Sequence, residues 1–396
     1  MVRCPYTGGS GHQNLAALPL SHDPRARYHW QTDPRAQTPK ERMKIVSTAT
    51  AYPPYYFTQR EVVDALKTYW DKGMENSAVL ERLHFRTGVD GRYFSRPLED
   101  YYALDTWGKT NNVWVETAVD LGEKAIDCVL KTAGVARDQV DALFFVTVTG
   151  VASPSIDAML VNRMRLNPNI KRTPIFGLGC VAGAAGIARA ADYVKAYPDQ
   201  VAVLLSVELC SLTWQRDDLT VANLISSGLF GDGAAAVLIA GVDVKLPPTT
   251  HVGPRILASH QVFYPDTHGV MGWDVSEKGF QIVLSPDVPK VVRENLGRDV
   301  DGFLAKQGLT RADVGTWIMH TGGPKVLEAC EEALGLMDGE LQVSWDALRK
   351  VGNLSSASVL VVLDEVMRNR RPPPGTRSIL SAMGPGFCAE MMLLEW

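Results

Sequence analysis

Three side chains have types and settings that suit covalent catalysis. Cys180 lies in GLGCVAG, where a glycine turn precedes a helix rich in small residues. His320 ends the apolar stretch TWIMH, directly before TGGP, and Asn353 lies in VGNLSSAS, another turn before a helix. A thiol, an imidazole and an amide donor can act together as nucleophile, acid–base partner and oxyanion donor.

Each of the three side chains also has a purely structural explanation. Cys180 at a helix N-terminus would feel the positive end of the helix dipole, which favours thiolate, but buried cysteines also serve as small apolar residues. His320 follows a buried strand, where α/β folds place working residues, although a hydrogen-bonded core histidine would fit as well. Asn353 could cap the following helix or donate to an oxyanion.

An internal repeat relates the segments that carry these residues. The segments GVARDQVDALFFVTVTG (134–150) and GLTRADVGTWIMHTGG (308–323) share one order of Gly, Arg, Asp, Val and a buried strand. The turn and helix at 177–194 have a counterpart at 352–367, where we place Asn353 at the position that matches the Cys180 turn. The pattern predicts two similar β-α-β-rich units packed on one core, with both small-residue helices buried and their N-termini near the middle.

Local patterns predict the elements of the first unit. A strand is expected over 43–54 and helices over 61–70 and 113–134, the second ending at Gly134. The continuous apolar run at 142–150 is typical of a strand buried on both faces.

The chain divides into three segments on these patterns. Residues 1–43 are polar, rich in Gly, Pro and Arg and without periodicity, which is consistent with a mobile N-terminal extension. Residues 44–245 are predicted to form a first half with the candidate nucleophile, and 246–396 a second half with the histidine and asparagine.

Composition excludes several classes of function. The chain has 396 residues, 46% hydrophobic and 21% charged, with a formal net charge of −4, so a basic nucleic-acid-binding face is not expected. No apolar run approaches the ~18 residues of a membrane span, and the N-terminus has no signal-like apolar region, so we expect a cytoplasmic protein.

The six cysteines are scattered, which predicts reduced thiols and neither a disulfide framework nor a metal site. GxGxxxG at 177–183 is not the dinucleotide fingerprint, and Walker A, HExxH and GxSxG motifs are absent from the sequence.

Over about residues 44–396 the chain resembles the type III polyketide synthases, the chalcone-synthase-like members of the thiolase superfamily. The motifs that carry this resemblance are GCVAG around Cys180, HTGGP around His320, GNLSSAS around Asn353, LFGDGAAAV at 229–237 and GPG at 384–386. The resemblance implies an α/β protein with the five-layer αβαβα thiolase fold in two pseudo-symmetric halves. It also implies a homodimer that needs no metal and no cofactor beyond its CoA thioester substrates.

The resemblance implies a mechanism as well. Cys180 would form a thiolate–imidazolium pair with His320 and take an acyl group from an acyl-CoA. His320 and Asn353 would hold the thioester oxygen of malonyl-CoA while it loses CO2. The resulting enolate would attack the acyl-cysteine and extend the chain by two carbons, a step that needs donors in a water-poor pocket.

Further site residues follow from the resemblance. Phe230 matches a gatekeeper phenylalanine, whereas Ile282 stands where the family has a second one and Trp273 where it has a cavity glycine. The other implied cavity residues are Thr149, Cys210, Thr213 and Ser355. The implied CoA contacts are Lys67, Lys72, Arg86, Gly322 and Gly323, and solvated surface charge explains the three basic residues equally well.

The substrate is the least determined feature. The forms VELCSLTWQ and MGWDVSEKGFQIVLSPDVP resemble bacterial enzymes that make alkylpyrones or alkylresorcinols from long-chain fatty acyl-CoA. Tetrahydroxynaphthalene synthases use malonyl-CoA alone and carry an extra cysteine, which is missing near 146–155. A single-condensation enzyme similar to ketoacyl-ACP synthase III is disfavoured by HTGGP and the GPG loop. The intact set of Cys, His and Asn argues against an inactive acyl-CoA-binding protein, and the repeat argues against a cysteine hydrolase.

Overall fold

The structure is a computed structural model that describes residues 43–70, 77–247 and 253–396. The helices are α1 Gln59–Tyr69, α2 Ser77–Phe85, α3 Trp107–Ala133, α4 Ile156–Met164, α5 Ala182–Ala196, α6 Val221–Leu229, α7 Val288–Ala305, α8 Pro324–Leu334, α9 Gln342–Val351 and α10 Ser358–Asn369. The strands are β1 Lys44–Ala51, β2 Tyr55–Thr58, β3 Gly91–Phe94, β4 Ala142–Thr147, β5 Lys171–Phe176, β6 Val201–Leu209, β7 Asp232–Ala240, β8 Arg255–Phe263, β9 Met271–Ser276, β10 Gly279–Leu284, β11 Thr316–Met319, β12 Arg377–Gly384 and β13 Cys388–Glu395.

The main sheet repeats one strand arrangement twice. Its order is β11-β12-β13-β8-β1-β7-β6-β4-β5. In the first half β4 and β6 are parallel, and the antiparallel strands β7 and β1 follow them. In the second half β11 and β12 are parallel, and the antiparallel strands β13 and β8 follow them. The halves join edge to edge where Lys44 of β1 pairs with Arg255 of β8. The predicted duplication is therefore confirmed by the strand order and directions.

Five layers follow from how the apolar strands distribute their side chains. Successive residues of β6 alternate between two hydrophobic clusters, with Val203 and Leu205 packing towards α3 and Ala202 and Leu204 towards the buried helices α5 and α10. A third cluster packs α7 and α8 on the outer face of the second half. Since a strand buried on both faces needs apolar residues at every position, this arrangement explains the continuous apolar runs. The expected αβαβα class is confirmed.

Helix ends agree with their local sequence signals, with one difference in length. Thr58 and Glu61 form a capping box at the start of α1, and α3 ends at Gly134 in the left-handed conformation (φ +66°). However, α3 begins at Trp107 rather than at 113, because Thr106 caps a first turn whose residues are mostly polar and lack the apolar period.

The domain boundaries drawn from the sequence remain predictions. Both predicted halves fall within one compact unit, Glu41–Trp396, and residues 1–42 of the predicted extension lie outside the described residues. Within the described part of the chain, no helix is long and apolar enough to cross a membrane.

Candidate active site

Cys180 lies in a tight 3-10 turn, Gly179–Val181, that leads directly into α5. Gly179 has a left-handed backbone (φ +55°), and a Cβ there would lie 2.6 Å from Pro385 of the GPG loop. Glycine is therefore needed both for the turn and for the close approach of this loop. Cys180 is buried, with 5% of its surface exposed.

The second half builds a similar turn in front of its own buried helix. The 3-10 turn Ser355–Ala357 leads into α10, and its first residue, Ser355, is left-handed (φ +47°) like Gly179. This alignment pairs Cys180 with Ser356 and leaves Asn353 two residues before the left-handed residue. Asn353 precedes the turn, because the left-handed residue sets where each turn begins.

The two turns nevertheless bring Cys180 and Asn353 into one neighbourhood. Cys180 Sγ lies 3.6 Å from Ser355 Oγ. Asn353 Oδ1 accepts hydrogen bonds from the Ser355 backbone N–H at 2.8 Å and from Ser358 Oγ at 3.2 Å. Among the described residues, Asn353 Nδ2 has no hydrogen-bond partner. The oxygen of this amide is thus used to hold the turn, and its N–H donors are left for another group.

His320 reaches the same region from the end of β11. Its backbone N–H donates to Ser381 O of β12 at 3.0 Å. Three residues further along β12, a Cβ on Gly384 would lie 2.6 Å from the backbone N of Val181 in the Cys180 turn. The end of β12 therefore adjoins both His320 and that turn. His320 is 7% exposed, and its Nδ1 has no partner among the described residues.

Burial keeps the cysteine and the histidine neutral in the resting site. It raises the pKa of the Cys180 thiol to about 12, with the charge of Glu208 adding to the shift and the Ser355 hydrogen bond opposing it. Burial also lowers the pKa of His320 to about 4. These directions run against the thiolate expected from the helix dipole, because removal from water disfavours both charged forms.

Phe230 is attached to Asn353 through the backbone. The Asn353 N–H donates to Leu229 O at 2.9 Å, and the Gly231 N–H donates to Asn353 O at 3.0 Å. Phe230 sits between these two bonds as the C-cap of α6 and is 8% exposed. The position of the phenyl ring is thus coupled to that of the asparagine.

Most of the predicted cavity residues lie together around one small pocket. Trp273 and Ile282 pair across β9 and β10, and they line one pocket with Phe230 whose free volume is about 10 Å³. The full lining is Cys210, Thr213, Trp214, Asn223, Ser226, Phe230, Trp273 and Ile282. Thr149 is not part of it and lines a separate open cleft on the other side of Trp214.

A buried carboxyl group between the halves was not singled out from the sequence. Glu208 of β6 is fully buried and accepts hydrogen bonds from Ser356, from Thr149 Oγ1 at 2.8 Å and from the Val148 N–H at 3.1 Å. Burial raises the pKa of Glu208 to about 7. A lone glutamate in the apolar strand VAVLLSVEL was the available signal, since buried carboxyls are rare unless they are paired.

Glu208→Gln is expected to change how stability depends on pH. In the folded wild type Glu208 holds its proton up to about pH 7, whereas in the unfolded chain it ionises near 4.5. The wild type therefore loses free energy of unfolding as the pH rises from 4.5 to 7, by about 3 kcal/mol for this group, and the glutamine variant does not. Urea unfolding of both proteins across this range measures the difference.

The control is Glu99→Gln, because Glu99 is exposed and forms no ion pair among the described residues. The free energy of unfolding of this control should differ from that of the wild type by the same amount across the pH range. If the free energies of unfolding of Glu208→Gln and the wild type also differ by a constant amount across this range, the raised pKa of Glu208 is contradicted.

The predicted CoA-binding residues differ in their ion pairing and exposure. Lys67 of α1 is paired with Glu81 and Asp64, whereas Arg86 is exposed and pairs with no carboxylate among the described residues. Lys72 lies outside the described residues. Gly322 and Gly323 follow His320 and begin α8, with Gly323 at φ +121°.

Two basic residues near the end of α2 were not singled out from the sequence. Arg82 is exposed one turn before Arg86. Arg60 of α1 lies over the exposed ring of Phe85, at 4.6 Å from its centre, and pairs with Glu81 at 3.3 Å. In the sequence, the sign of this group was the occurrence of several arginines close to one short predicted segment. Together with Arg86 they form the basic surface patch Arg60–Arg82–Arg86.

Comparison with known proteins shows which family this chain belongs to. The family models for the N-terminal and C-terminal domains of chalcone and stilbene synthases match residues 31–243 and 255–395. The chain belongs to the chalcone and stilbene synthase family. It is a type III polyketide synthase, an acyl-transferring enzyme that catalyses condensation.

Relatives of this type III polyketide synthase include several bacterial enzymes. A 1,3,6,8-tetrahydroxynaphthalene synthase from Streptomyces peucetius subsp. caesius is 46% identical over 352 residues, which cover 89% of this chain and 93% of the relative. A 3,5-dihydroxyphenylacetyl-CoA synthase from Streptomyces toyocaensis is 30% identical over 91% of this chain and 92% of its own length. The crystal structure of 1,3,6,8-tetrahydroxynaphthalene synthase from Streptomyces coelicolor A3(2) matches with a TM-score of 0.83 at 29% identity, covering 89% of this chain and 99% of the other.

Proposed function

We propose that Cys180 is the nucleophile of this type III polyketide synthase, that His320 is its acid–base partner, and that Asn353 is an oxyanion donor. The support is their burial around adjoining turns, with Cys180 Sγ 3.6 Å from Ser355 and the Asn353 Nδ2 donors unpaired among the described residues. A low-polarity site strengthens hydrogen bonds to developing charge.

The proposed sequence begins with loading. The Cys180 sulfur attacks the carbonyl carbon of an acyl-CoA, its proton passes to the neutral His320, and the departing CoA thiolate takes that proton. The products are the acyl-cysteine thioester and free CoA. Because the thiol starts protonated, proton transfer to His320 accompanies the attack rather than preceding it.

Extension uses the same donors on a second substrate. His320 and Asn353 donate to the thioester oxygen of malonyl-CoA while the bond to the carboxylate breaks and CO2 leaves. The enolate carbon then attacks the acyl-cysteine carbonyl, and the Cys180 sulfur leaves as the new carbon–carbon bond forms. We propose that Lys67, Lys72, Arg86 and the Gly322–Gly323 turn bind the CoA phosphates, and that the enzyme is a homodimer in the cytoplasm.

For the starter, we infer that malonyl-CoA supplies every carbon of the product, as in a tetrahydroxynaphthalene synthase. The observation that carries this inference is the small pocket closed by Trp273 and Ile282, whose free volume is about 10 Å³. This volume lies far below the sites of about 300–1,000 Å³ typical of drug-sized ligands, so the pocket must widen for either product, and a short polyketide needs less widening than a long alkyl chain. The 46% identity to a tetrahydroxynaphthalene synthase supports the same choice.

A long-chain fatty acyl starter, which the sequence favoured, is the second candidate. Trp214 lines both the small pocket and the open cleft that Thr149 borders. A movement of this indole would join the two spaces and lengthen the site. This candidate therefore depends on a larger rearrangement than the first one.

The test is mass analysis of products made from malonyl-CoA alone and from malonyl-CoA with acyl-CoA starters of increasing chain length. We expect malonyl-CoA alone to yield an aromatic polyketide, with long-chain starters adding little product. Trp273→Ala, which enlarges the pocket, should shift incorporation towards longer starters.

Cys180→Ala serves as the blank for this panel. Products that form only with a long-chain starter and retain its alkyl chain would replace the malonyl-only inference with the second candidate. A single condensation product in every reaction would instead indicate an enzyme like ketoacyl-ACP synthase III.

A further inference from the structure

The C-terminal end of α6, which carries Phe230, is held by a buried arginine. Helices leave their last four carbonyl groups without partners in the helix, and buried ones must be satisfied by other groups. In α6 the Ser227 and Gly228 carbonyls accept hydrogen bonds from the Arg92 guanidinium, the second at 2.9 Å. Gln59 Nε2 also donates to Gly228 O, at 2.8 Å.

Arg92 is unusual in its burial. It is 0% exposed on β3 and also donates to Gln59 Oε1, and its guanidinium lies 5.3 Å from the centre of the Phe94 ring. No carboxylate forms a salt bridge with it among the described residues, so carbonyl and amide oxygens receive its hydrogen bonds. A fully buried charge is costly to keep, which points to a specific task for the planar fork of an arginine.

The same segment is tied to the catalytic neighbourhood on its other side. The next carbonyl, Leu229 O, accepts from the Asn353 N–H at 2.9 Å. A Cβ on Gly352, the residue before Asn353, would lie 3.5 Å from Arg92 Cδ and 2.6 Å from Leu229 O. Arg92 is thus packed behind both the Phe230 segment and the turn that presents Asn353.

We propose that Arg92 is a positioning residue, which sets the placement of Phe230 and Asn353 together by holding the Ser227 and Gly228 carbonyls. The proposal rests on the proposed function, because it assigns Arg92 an effect on the oxyanion donor Asn353. It predicts that loss of the guanidinium fork impairs decarboxylation of malonyl-CoA more than acylation of Cys180. The Cys180 turn is held by the GPG loop and makes no hydrogen bond to Arg92.

The experiment compares Arg92→Lys and Arg92→Met with the wild type in two assays on the same preparations. One assay follows acetyl-CoA and CO2 formation from malonyl-CoA, and the other follows acyl mass on Cys180. We expect Arg92→Lys to slow decarboxylation at least about tenfold, since a misplacement of about 1 Å can lower a rate by about 10²-fold. Acylation should stay within about twofold in the same protein, and Arg92→Met should be slower than Arg92→Lys because no donor remains.

Arg311→Met is the matched control. Arg311 also donates to a carbonyl near the end of a helix, Ala333 O of α8 at 3.0 Å, but it does so on the outer layer. Both assays should be unchanged in this variant. Equal loss of decarboxylation and acylation in Arg92→Lys, or no loss in either, would overturn the proposal.

Two further variants keep the outcome decisive. If both Arg92 variants fail to fold, Arg92→Gln, whose amide keeps two donors, is compared in the same assays, and equal loss of decarboxylation and acylation or no loss in either overturns the proposal. Asn353→Asp separates the two levels of inference. If it decarboxylates malonyl-CoA as fast as the wild type, the proposed function fails; if it is slow while Arg92→Lys is normal, only the role of Arg92 fails.

Discussion

Cys180→Ala is expected to abolish covalent acylation of the protein by acyl-CoA thioesters. The alanine side chain has no nucleophilic atom. The turn should survive, because its shape depends on Gly179 and the GPG loop rather than on the thiol. Intact-protein mass spectrometry after incubation with short-chain and long-chain acyl-CoA measures the added mass, and peptide mapping locates it.

Two other cysteines make this experiment specific. Cys330 is buried in α8 and lines no described pocket, so Cys330→Ala should acylate normally. Of the five described cysteines, Cys210 is the one that lines the small pocket, so it is the thiol placed to compete. Acylation that persists in Cys180→Ala and disappears in Cys210→Ala would move the nucleophile to Cys210.

Asn353→Asp and His320→Ala are each expected to slow decarboxylation of malonyl-CoA by about 10²- to 10³-fold, the usual effect of removing one oxyanion donor. The aspartate keeps an oxygen for the hydrogen bonds from Ser355 and Ser358, so the turn is preserved. It loses the Nδ2 donors and adds negative charge beside the developing enolate. Acetyl-CoA formation from malonyl-CoA without a starter measures this step alone.

Cys180→Ala is the informative comparison for these variants, because decarboxylation does not use the sulfur. It should retain most of the rate, and Ser358→Ala reports how much the support of the Asn353 oxygen matters. Near-wild-type decarboxylation in both Asn353→Asp and His320→Ala would remove these two residues from the oxyanion site.

Several features of the fold could be predicted because their causes are local. The all-apolar run in β4 was expected to be buried on both faces, and the structure places it between two helical layers. Gly134 was expected to stop α3 because glycine enters the left-handed conformation without steric cost. The repeat was visible because each copy must satisfy the same packing constraints. The start of α3 was missed, since a capped polar turn has no hydrophobic period.

The candidate site also has residues that the sequence indicates and residues that it does not. Cys180, His320 and Asn353 could be proposed from the sequence because their residue types and glycine-rich settings are themselves signals. The exact pairing of residues between the two turns could not be predicted, because motif letters alone do not show which residue of each turn takes the left-handed conformation. Arg92 and Glu208 were overlooked because their importance lies in partners far along the chain, such as Gly228 and Ser356.

The order of residues alone thus establishes the chemistry available to this protein and the architecture that must hold it. Hydrophobic period, turn glycines and reactive side-chain types all act over short distances along the chain. Only the tertiary structure decides that the resting thiol and imidazole are neutral, that Trp273 and Ile282 close the pocket, and that one buried arginine stands behind both Phe230 and Asn353. Burial and contact between distant segments produce these properties, and neither exists until the two halves have packed together.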